Sequence, residues 1–300
     1  MAVLVQDLIR RKRDSAVLSP SAPLRWRPGA ELMPYPRKRP APRHPLPARP
    51  AAFGLSSLHT AEYLHETLAL GQPQPLETFA GTLNRAGWHT AALYTRGIFF
   101  TEGDRLTAYR DNNFGFARAA HVDRMAAEQT QAAQEEVDDI ARRGEPLSLL
   151  WVHYFDAHAP YQGQGPNPMA QYDAAARTVD GRIDALVRYA RSRLRRPVVV
   201  AVTADHGEEF HEHGGVYHGA TLHDEQVRVP MVLEGPGVPA RRVETPVQLI
   251  DLVPTLLGLA GVTAPPTMRG RDLRPWMSPT PPTEAPTVGK RDPSVRCAWA

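Results

Sequence analysis

The stretch Pro197-Val-Val-Val-Ala-Val-Thr-Ala-Asp-His-Gly207 sets the fold class of this 300-residue chain. Within it, Val198–Thr203 is apolar on both faces and rich in β-branched residues, which predicts a strand buried between two layers. Leu147–Val152 has the same character, and Met231–Leu233 forms a third, shorter apolar run. Such strands are typical of largely parallel sheets covered by helices on both faces, in which sites form at the carboxyl ends of the strands.

Helical patterns alternate with these strands. Apolar residues between Leu76 and Ala86 fall on one helical face that ends at Gly87, and Thr90–Tyr94 then predicts a short strand. Val122–Arg143 predicts a surface helix, and the apolar positions from Val179 to Leu194 predict a long amphipathic helix. The chain is therefore predicted to have an α/β fold.

Charge is unevenly distributed along the chain. Residues 1–50 hold 11 Lys+Arg against 3 Asp+Glu, whereas the other 250 residues hold 24 against 29. Basic charge confined to one terminal segment argues against a nucleic-acid partner, because nucleic-acid binding needs a basic face on the folded domain. No apolar run approaches the roughly 18 residues of a transmembrane segment. One cysteine, Cys297, excludes a disulfide framework.

Proline divides the chain into three parts. Residues 20–50 contain ten prolines, which are disfavoured in helix interiors and central strands. We predict a Pro/Arg-rich disordered tail over residues 1–52, one α/β domain over 53–277, and a second Pro-rich tail over 278–300. The N-terminus lacks a signal peptide, so cytoplasmic residence is the default expectation; a misassigned N-terminus would instead permit a periplasmic or membrane-linked protein.

Two strand ends lead into histidine-rich segments, which together hold seven of the 12 histidines. Leu147–Val152 leads towards His158, and Val198–Thr203 leads into Asp205 and His206. An adjacent carboxylate and imidazole offer ligands for Ca²⁺, Mn²⁺ or Zn²⁺. A metal there would neutralise an ester oxyanion, and imidazoles on a facing loop would protonate the leaving group.

These residues also have a purely structural interpretation. An Asp-His pair after a strand can be a cap followed by a surface histidine. His153 and Asp156 can equally be a strand-end residue and a helix cap. Three further histidines, in a polar loop, are interpreted as solvated: His211, His213 and His223.

Five segments, taken in order, resemble the sulfatase family within the alkaline phosphatase superfamily. The segment containing Phe155-Asp-Ala-His-Ala-Pro-Tyr161 resembles the family's F-D-P-H-x-P-Y motif. Thr203-Ala-Asp-His-Gly-Glu-Glu-Phe210, followed by His213-Gly-Gly and His218, resembles its A-D-H-G-E … H-G … H block. The other three resemblances, which bring the coverage to roughly residues 53–275, are to a helix and strand over Leu76–Thr90, an R-V-P segment over Leu222–Gly237, and an I-D-L-x-P-T-L-L helix over Ile250–Val262.

The resemblance implies an alkaline-phosphatase-like sandwich with a central, largely parallel sheet and helices on both faces. It implies that Asp205 and His206 bind a divalent metal. It also implies that His158 and His218 contact the sulfuryl or phosphoryl group of a small-molecule or glycan ester, or its leaving oxygen. Three other matching positions are interpreted as structural: His153, Asp156 and Arg228, the last in a strand-end salt bridge.

Two family features are not found in the N-terminal part. There is no D-x-x-R-x-D motif, and the nucleophile positions align with Ala51 and Ala52 because Phe53–Tyr63 resembles the helix that follows a nucleophile. Either an error in the gene model has replaced the true start, or the protein is a pseudoenzyme. Both interpretations predict a chain without the strand that carries the first ligands, and hence a weakly held metal.

The leading functional interpretation is a metal-dependent hydrolase of sulfate esters, inactive in this form if the nucleophile is absent. A phosphoryl-transfer relative, such as a phosphoethanolamine transferase or phosphodiesterase, is one alternative. His206 in place of an asparagine common in arylsulfatases favours that alternative. A third interpretation is a non-catalytic protein that binds anionic ligands.

Overall fold

The computed structural model describes residues 2–6, 77–95, 115–122, 125–219, 221–243, 246–278 and 282. The strands within these ranges are β1 (Ala2–Gln6), β2 (His89–Thr95), β3 (Arg118–Val122), β4 (Ser148–His153), β5 (Val199–Thr203), β6 (Glu209–Phe210), β7 (Val216–Tyr217) and β8 (Met231–Glu234). The helices are α1 (Phe79–Arg85), α2 (Ala126–Arg143), α3 (Pro168–Leu194), α4 (Asp224–Val227), α5 (Leu252–Leu259) and α6 (Arg274–Met277), with a 3₁₀ turn at Leu249–Asp251. Within the same ranges, every helix is too short or too polar to cross a lipid bilayer.

Six strands form one sheet in the order β3-β2-β4-β1-β5-β8. The strands from β3 to β5 pair in parallel, and β8 joins the edge antiparallel to β5. The predicted α/β fold with a largely parallel central sheet is therefore confirmed. A separate antiparallel hairpin, formed by β6 and β7, lies outside this sheet.

Strand β4 shows why the sheet is covered on both faces. Its six residues are all buried, and successive side chains point to opposite faces. Leu149 and Trp151 belong to a core cluster with residues of α1 and α5. Leu150 and Val152 belong to a second cluster with residues of α2 and α3. The apolar composition of the strand on both faces follows from this position between two helical layers.

Strand β1 lies in the middle of the sheet, where the sequence analysis expected a disordered tail. Ala2–Gln6 pairs with Leu149–His153 on one side, and Ala2–Val5 pairs with Val199–Val202 on the other. The expectation that the chain lacks its first central strand is therefore wrong. The first proline of the chain is Pro20, well after β1, and the Ala2-Val-Leu-Val5 run has ordinary strand composition. The remainder of the two predicted tails, residues 7–52 and 279–300 apart from 282, lies outside the described residues.

Two element boundaries also differ from the predictions. The region predicted to be helix from Val122 contains the end of β3, and α2 begins only at Ala126. Helix α3 begins at Pro168, well before the predicted Val179, with the Asn167 side chain accepting from the Ala170 N–H at 2.9 Å. Its first turns are rich in alanine, whose small side chains give little periodic signal.

Candidate active site

The candidate site lies where β4 and β5 end, on either side of β1. Strand β5 ends at Thr203, and the chain continues through Asp205 and His206. The β6–β7 hairpin then reverses the chain and returns His218 to His206, so that the two rings stack with centroids 3.8 Å apart. A local hairpin therefore brings together two side chains that are twelve positions apart in the sequence.

The loop after β4 supplies the third imidazole. His158 lies edge-on to His218, with ring centroids 5.3 Å apart, and stacks on Phe155 at 4.2 Å. The structure thus brings His158, His206 and His218 together, although their functional roles stay a prediction.

Each of the three imidazoles is held through its Nδ1 atom. Nδ1 of His158 lies 2.7 Å from the Ala159 carbonyl, and Nδ1 of His206 lies 2.9 Å from the Gly207 carbonyl. Nδ1 of His218 lies 2.9 Å from Oε1 of Glu208. A carbonyl or an ionised carboxylate only accepts hydrogen bonds, so these contacts assign a proton to Nδ1 in each ring. In a neutral ring, Nε2 then carries the lone pair that can bind a metal or accept a proton.

Asp205 and His206 present donors that suit a divalent cation. Oδ1 of Asp205 accepts from the His206 backbone N–H at 3.0 Å, and Oδ2 lies 3.6 Å from Nε2 of His206. With Nδ1 protonated, Nε2 carries the lone pair that metal ligation requires. Within the described ranges, no group of three His, Cys, Asp or Glu side chains forms a metal-binding arrangement. The role of this pair as metal ligands stays a prediction.

Glu208 is a site residue that the sequence analysis did not assign. Its side chain is only 3% exposed, and its two oxygens bridge Nδ1 of His218 and the Tyr161 hydroxyl, which donates at 3.0 Å. Burial, together with the charge of Glu208, raises the pKa of Tyr161 far above its usual value, so the hydroxyl stays protonated as a donor. The signal available in the sequence was a pair of adjacent carboxylates, Glu208 and Glu209, in an otherwise loop-forming segment.

Glu209 and Gly207 fix the hairpin against α4. Burial alone would raise the pKa of Glu209, but hydrogen bonds from Gln226 and from the backbone N–H groups of Gly215 and His213 outweigh it and lower that pKa. Gly207 donates its N–H to the Gln226 carbonyl at 2.7 Å, and a Cβ at this position would lie 2.0 Å from the Glu225 carbonyl oxygen. Only glycine permits this approach, which directs the chain from His206 into the hairpin.

The three positions interpreted as structural make structural contacts. Oδ1 of Asp156 accepts from the Ala126 N–H at 2.9 Å, at the first residue of α2, and burial raises the pKa of this carboxyl. The His153 carbonyl accepts from Gln129 at 2.9 Å. Arg228 pairs with Asp224 at 3.5 Å on the exposed surface. The partner of Arg228 therefore comes from α4 and not from a strand end.

His213 and His223 form a separate contact between the hairpin and the segment before α4. Both are exposed, their rings stack with centroids 3.7 Å apart, and Nε2 of His213 lies 3.0 Å from Oε2 of Glu225. Ala51 and Ala52, which the family resemblance aligns with the nucleophile, lie outside the described residues.

Comparison with known proteins gives a consistent result. The sequence model of the sulfatase family matches residues 46–262. The uncharacterized sulfatase YidJ of Escherichia coli (strain K12) is 29% identical over 143 residues, which are 48% of this chain and 28% of that protein. The chain thus spans well under half the length of this relative.

Two solved structures share the fold. The crystal structure of Ps i-CgsB superimposes with a TM-score of 0.62 at 17% identity, covering 74% of this chain and 64% of the other. A protein in the alkaline phosphatase superfamily from Vibrio parahaemolyticus superimposes with a TM-score of 0.58 at 20% identity, covering 74% and 58%.

Proposed function

The chain belongs to the sulfatase family of the alkaline phosphatase superfamily, and on this premise we propose that it is a metal-dependent hydrolase of sulfate esters. One observation carries the proposal. Three imidazoles from two strand ends meet, and each ring is oriented by a contact of its Nδ1 atom with a carbonyl or carboxylate oxygen. An arrangement of this kind suits an anion that needs several directed contacts at once.

Asp205 and His206 would hold the divalent metal, which the chemistry of a carboxylate beside an imidazole limits to ions such as Ca²⁺, Mn²⁺ or Zn²⁺. When bound, the metal would polarise an oxygen of the ester. The two side chains provide an anionic oxygen and a neutral nitrogen 3.6 Å apart. Strand β1 ends between β4 and β5, and Asp7 follows it in the sequence, so Asp7 is the next residue to test as a ligand.

His158 and His218 would contact the ester itself. Nε2 of either ring, when it carries a proton, can donate to a sulfuryl oxygen or to the oxygen of the leaving alcohol. Phe155 restricts rotation of the His158 ring by stacking on it, and Glu208 restricts that of His218. Glu208 is in turn held by the Tyr161 hydroxyl, so it acts as a positioning residue behind His218.

A non-catalytic anion-binding protein is the second candidate, and one sequence observation favours it. Ala51 and Ala52 occupy the positions aligned with the nucleophile, and neither side chain has an attacking atom. The imidazoles and the metal ligands would then bind a sulfate or phosphate ester without cleaving it.

The test compares hydrolysis and binding in one set of variants. The full chain is assayed with p-nitrophenyl sulfate, p-nitrophenyl phosphate and bis-p-nitrophenyl phosphate in Ca²⁺, Mn²⁺ or Zn²⁺, beside His158→Ala, His218→Ala and the control His223→Ala. The proposal predicts sulfate-ester turnover that both site variants lose and the control retains. Preference for either phosphate substrate would favour phosphoryl transfer instead. Binding without turnover, lost in the same two variants, would favour the non-catalytic candidate.

A further inference from the structure

We propose that a cavity lined by residues next to His158 and His218 in the sequence binds the alcohol part of the ester, and that this alcohol is apolar and contains a ring. The inference rests on the proposed function, because it assumes that the ester's anionic group lies at His158 and His218. The cavity has a volume of about 440 Å³, within the range of small-molecule sites. We call it the hairpin cavity, since β6 and β7 form part of its wall.

Two segments of the cavity wall adjoin His158 and His218 in the sequence. Pro160 and Tyr161, which line it, follow His158 within three residues. Val216 and Tyr217, on the opposite segment, immediately precede His218. Tyr161 joins the cavity to the candidate site, because its ring lines the cavity and its hydroxyl donates to Glu208, which contacts His218.

Apolar side chains dominate the wall. Tyr161 and Phe210 contribute aromatic rings with centroids 5.5 Å apart. Met169, Val216 and Tyr217 line the same space and are 38%, 43% and 54% exposed. Among the described residues, these three are most of the large hydrophobic side chains left exposed, and their shared location indicates a surface that a ligand covers.

Three polar side chains of the wall make hydrogen bonds within the protein. The Asn167 side chain accepts from the Ala170 N–H, and Gln171 donates to the Gly165 carbonyl at 3.2 Å. Glu209 accepts three hydrogen bonds within the hairpin and from α4. A sugar ring would bring many hydroxyls into contact with a wall whose polar groups are largely engaged, whereas an apolar ring needs no such partners. The wall thus favours an apolar ring over a sugar.

Backbone geometry singles out Tyr217 at the mouth of the cavity. Its φ is +69°, a left-handed conformation that is unfavourable for a bulky residue. His211, on the other arm of the hairpin, also has a φ of +69° and lines the cavity. Such conformations persist only where surrounding contacts impose them, and they concentrate at ligand sites. We assign Tyr217 as a specificity-determining residue for the alcohol.

The experiment measures binding of a fluorescent aromatic alcohol, 4-methylumbelliferone, to the full chain, with glucose as the competing sugar. The variants are Tyr217→Asn and Met169→Ser, and the control is Leu222→Ser, which is 55% exposed and does not line the cavity. Asparagine tolerates the left-handed conformation, so Tyr217→Asn removes the ring without adding strain. Loss of one aromatic contact should weaken binding by about five- to tenfold, and the control should bind as the wild type does.

Equal affinity in all four proteins, or displacement of the alcohol by glucose at equal concentration, would overturn the inference. The free alcohol carries no sulfate, so its binding does not depend on the metal or on the histidines. Alcohol binding without ester hydrolysis would therefore contradict the proposed function alone. Ester hydrolysis that the Tyr217 and Met169 variants leave unchanged would contradict the cavity assignment alone.

Discussion

The Nδ1 proton of His218 is held by a carboxylate, whereas those of His158 and His206 are held by backbone carbonyls. A backbone carbonyl remains in place when the side chain of its residue is replaced. Only the contact of His218 with Glu208 involves a side-chain acceptor, so it is the one of the three Nδ1 contacts that a substitution can remove. The Glu208 side chain is nearly fully buried, which strengthens its hydrogen bonds. Removing the carboxylate should therefore lower the stability of the protein.

Replacing Glu208 by Gln should release the proton assignment of His218. The amide presents either an oxygen or an NH₂ group to Nδ1, so the Nδ1–H form is no longer imposed. We expect two coexisting tautomers in long-range ¹H–¹⁵N spectra of histidine-labelled protein. Sulfate-ester turnover should fall about tenfold or more, because one charge-assisted hydrogen bond contributes about 1.5–3 kcal/mol.

Tyr161→Phe is the matched control for this change. It removes the hydroxyl at Oε2 of Glu208 and leaves the contact of Oε1 with His218 in place. The Nδ1–H signal should therefore persist in Tyr161→Phe. An unchanged tautomer in Glu208→Gln would show that Glu208 does not position His218.

Asp156 should make stability depend on pH. Burial raises the pKa of this carboxyl in the folded state, so the protonated form is favoured there. Its contribution to the free energy of unfolding is complete below the ordinary pKa of about 3.9 and declines as pH rises through the folded value. Asp156→Asn keeps an acceptor for the Ala126 N–H but cannot ionise. Urea unfolding from pH 4 to 8 should show the wild type losing stability relative to the variant, and parallel profiles would contradict this.

Among the elements, β1 has the largest consequence for the rest of the molecule. It pairs on both edges, so it joins the half of the sheet that contains β4 to the half that contains β5. The two halves carry different parts of the candidate site, since His158 follows β4 and His206 follows β5. Their relative position depends on the backbone hydrogen bonds of this one strand.

Leu4→Pro should therefore destabilise the whole domain. Proline removes a backbone N–H from a strand with neighbours on both sides and leaves its acceptor unpaired, at a cost of about 1–3 kcal/mol. We expect a lower melting temperature or loss of cooperative unfolding by circular dichroism, while Leu4→Val, which keeps the N–H, should cost far less. Identical melting of all three proteins would mean that residues 2–6 behave as a tail.

For the molecule as a whole, the proposed metal binding would be linked to folding. A cation that binds only the folded state stabilises it by mass action, by about 2.7 kcal/mol at a concentration of 100 times Kd. Such binding requires that the chain segments after β5, and any further ligands, hold their folded positions. The stabilisation that the metal provides would therefore depend on the folded sheet as well as on the ligands of the site.

We expect the thermal midpoint to rise in one of Ca²⁺, Mn²⁺ or Zn²⁺ and to return after chelation with EDTA. Asp205→Asn and His206→Ala should abolish that rise, and Asp7→Asn should reduce it if Asp7 completes the ligand set. His213→Ala is the control, because His213 pairs with Glu225 outside the ligand pair. A rise that persists in Asp205→Asn would contradict the assignment of this ligand.

Sequence patterns predicted the elements whose signal is local. The strands β4 and β5 are apolar on both faces, and only a position between two layers suits such a composition, so their burial was predictable. Polar residues directly after them marked the edge of the sheet at which the site lies. Strand β1 was missed because five residues beside a proline-rich segment give a weak pattern, and pairing with distant strands decides their conformation.

The sequence by itself determined the α/β class, the family and the strand ends that carry the histidines, because periodicity and motif order are properties of neighbouring residues. Only the tertiary structure decided that Glu208 holds His218 and that Tyr161 holds Glu208. It also decided that β1 lies between β4 and β5 and that residues next to His158 and His218 in the sequence line one cavity. These features depend on contacts between segments far apart in the chain, which no local pattern records.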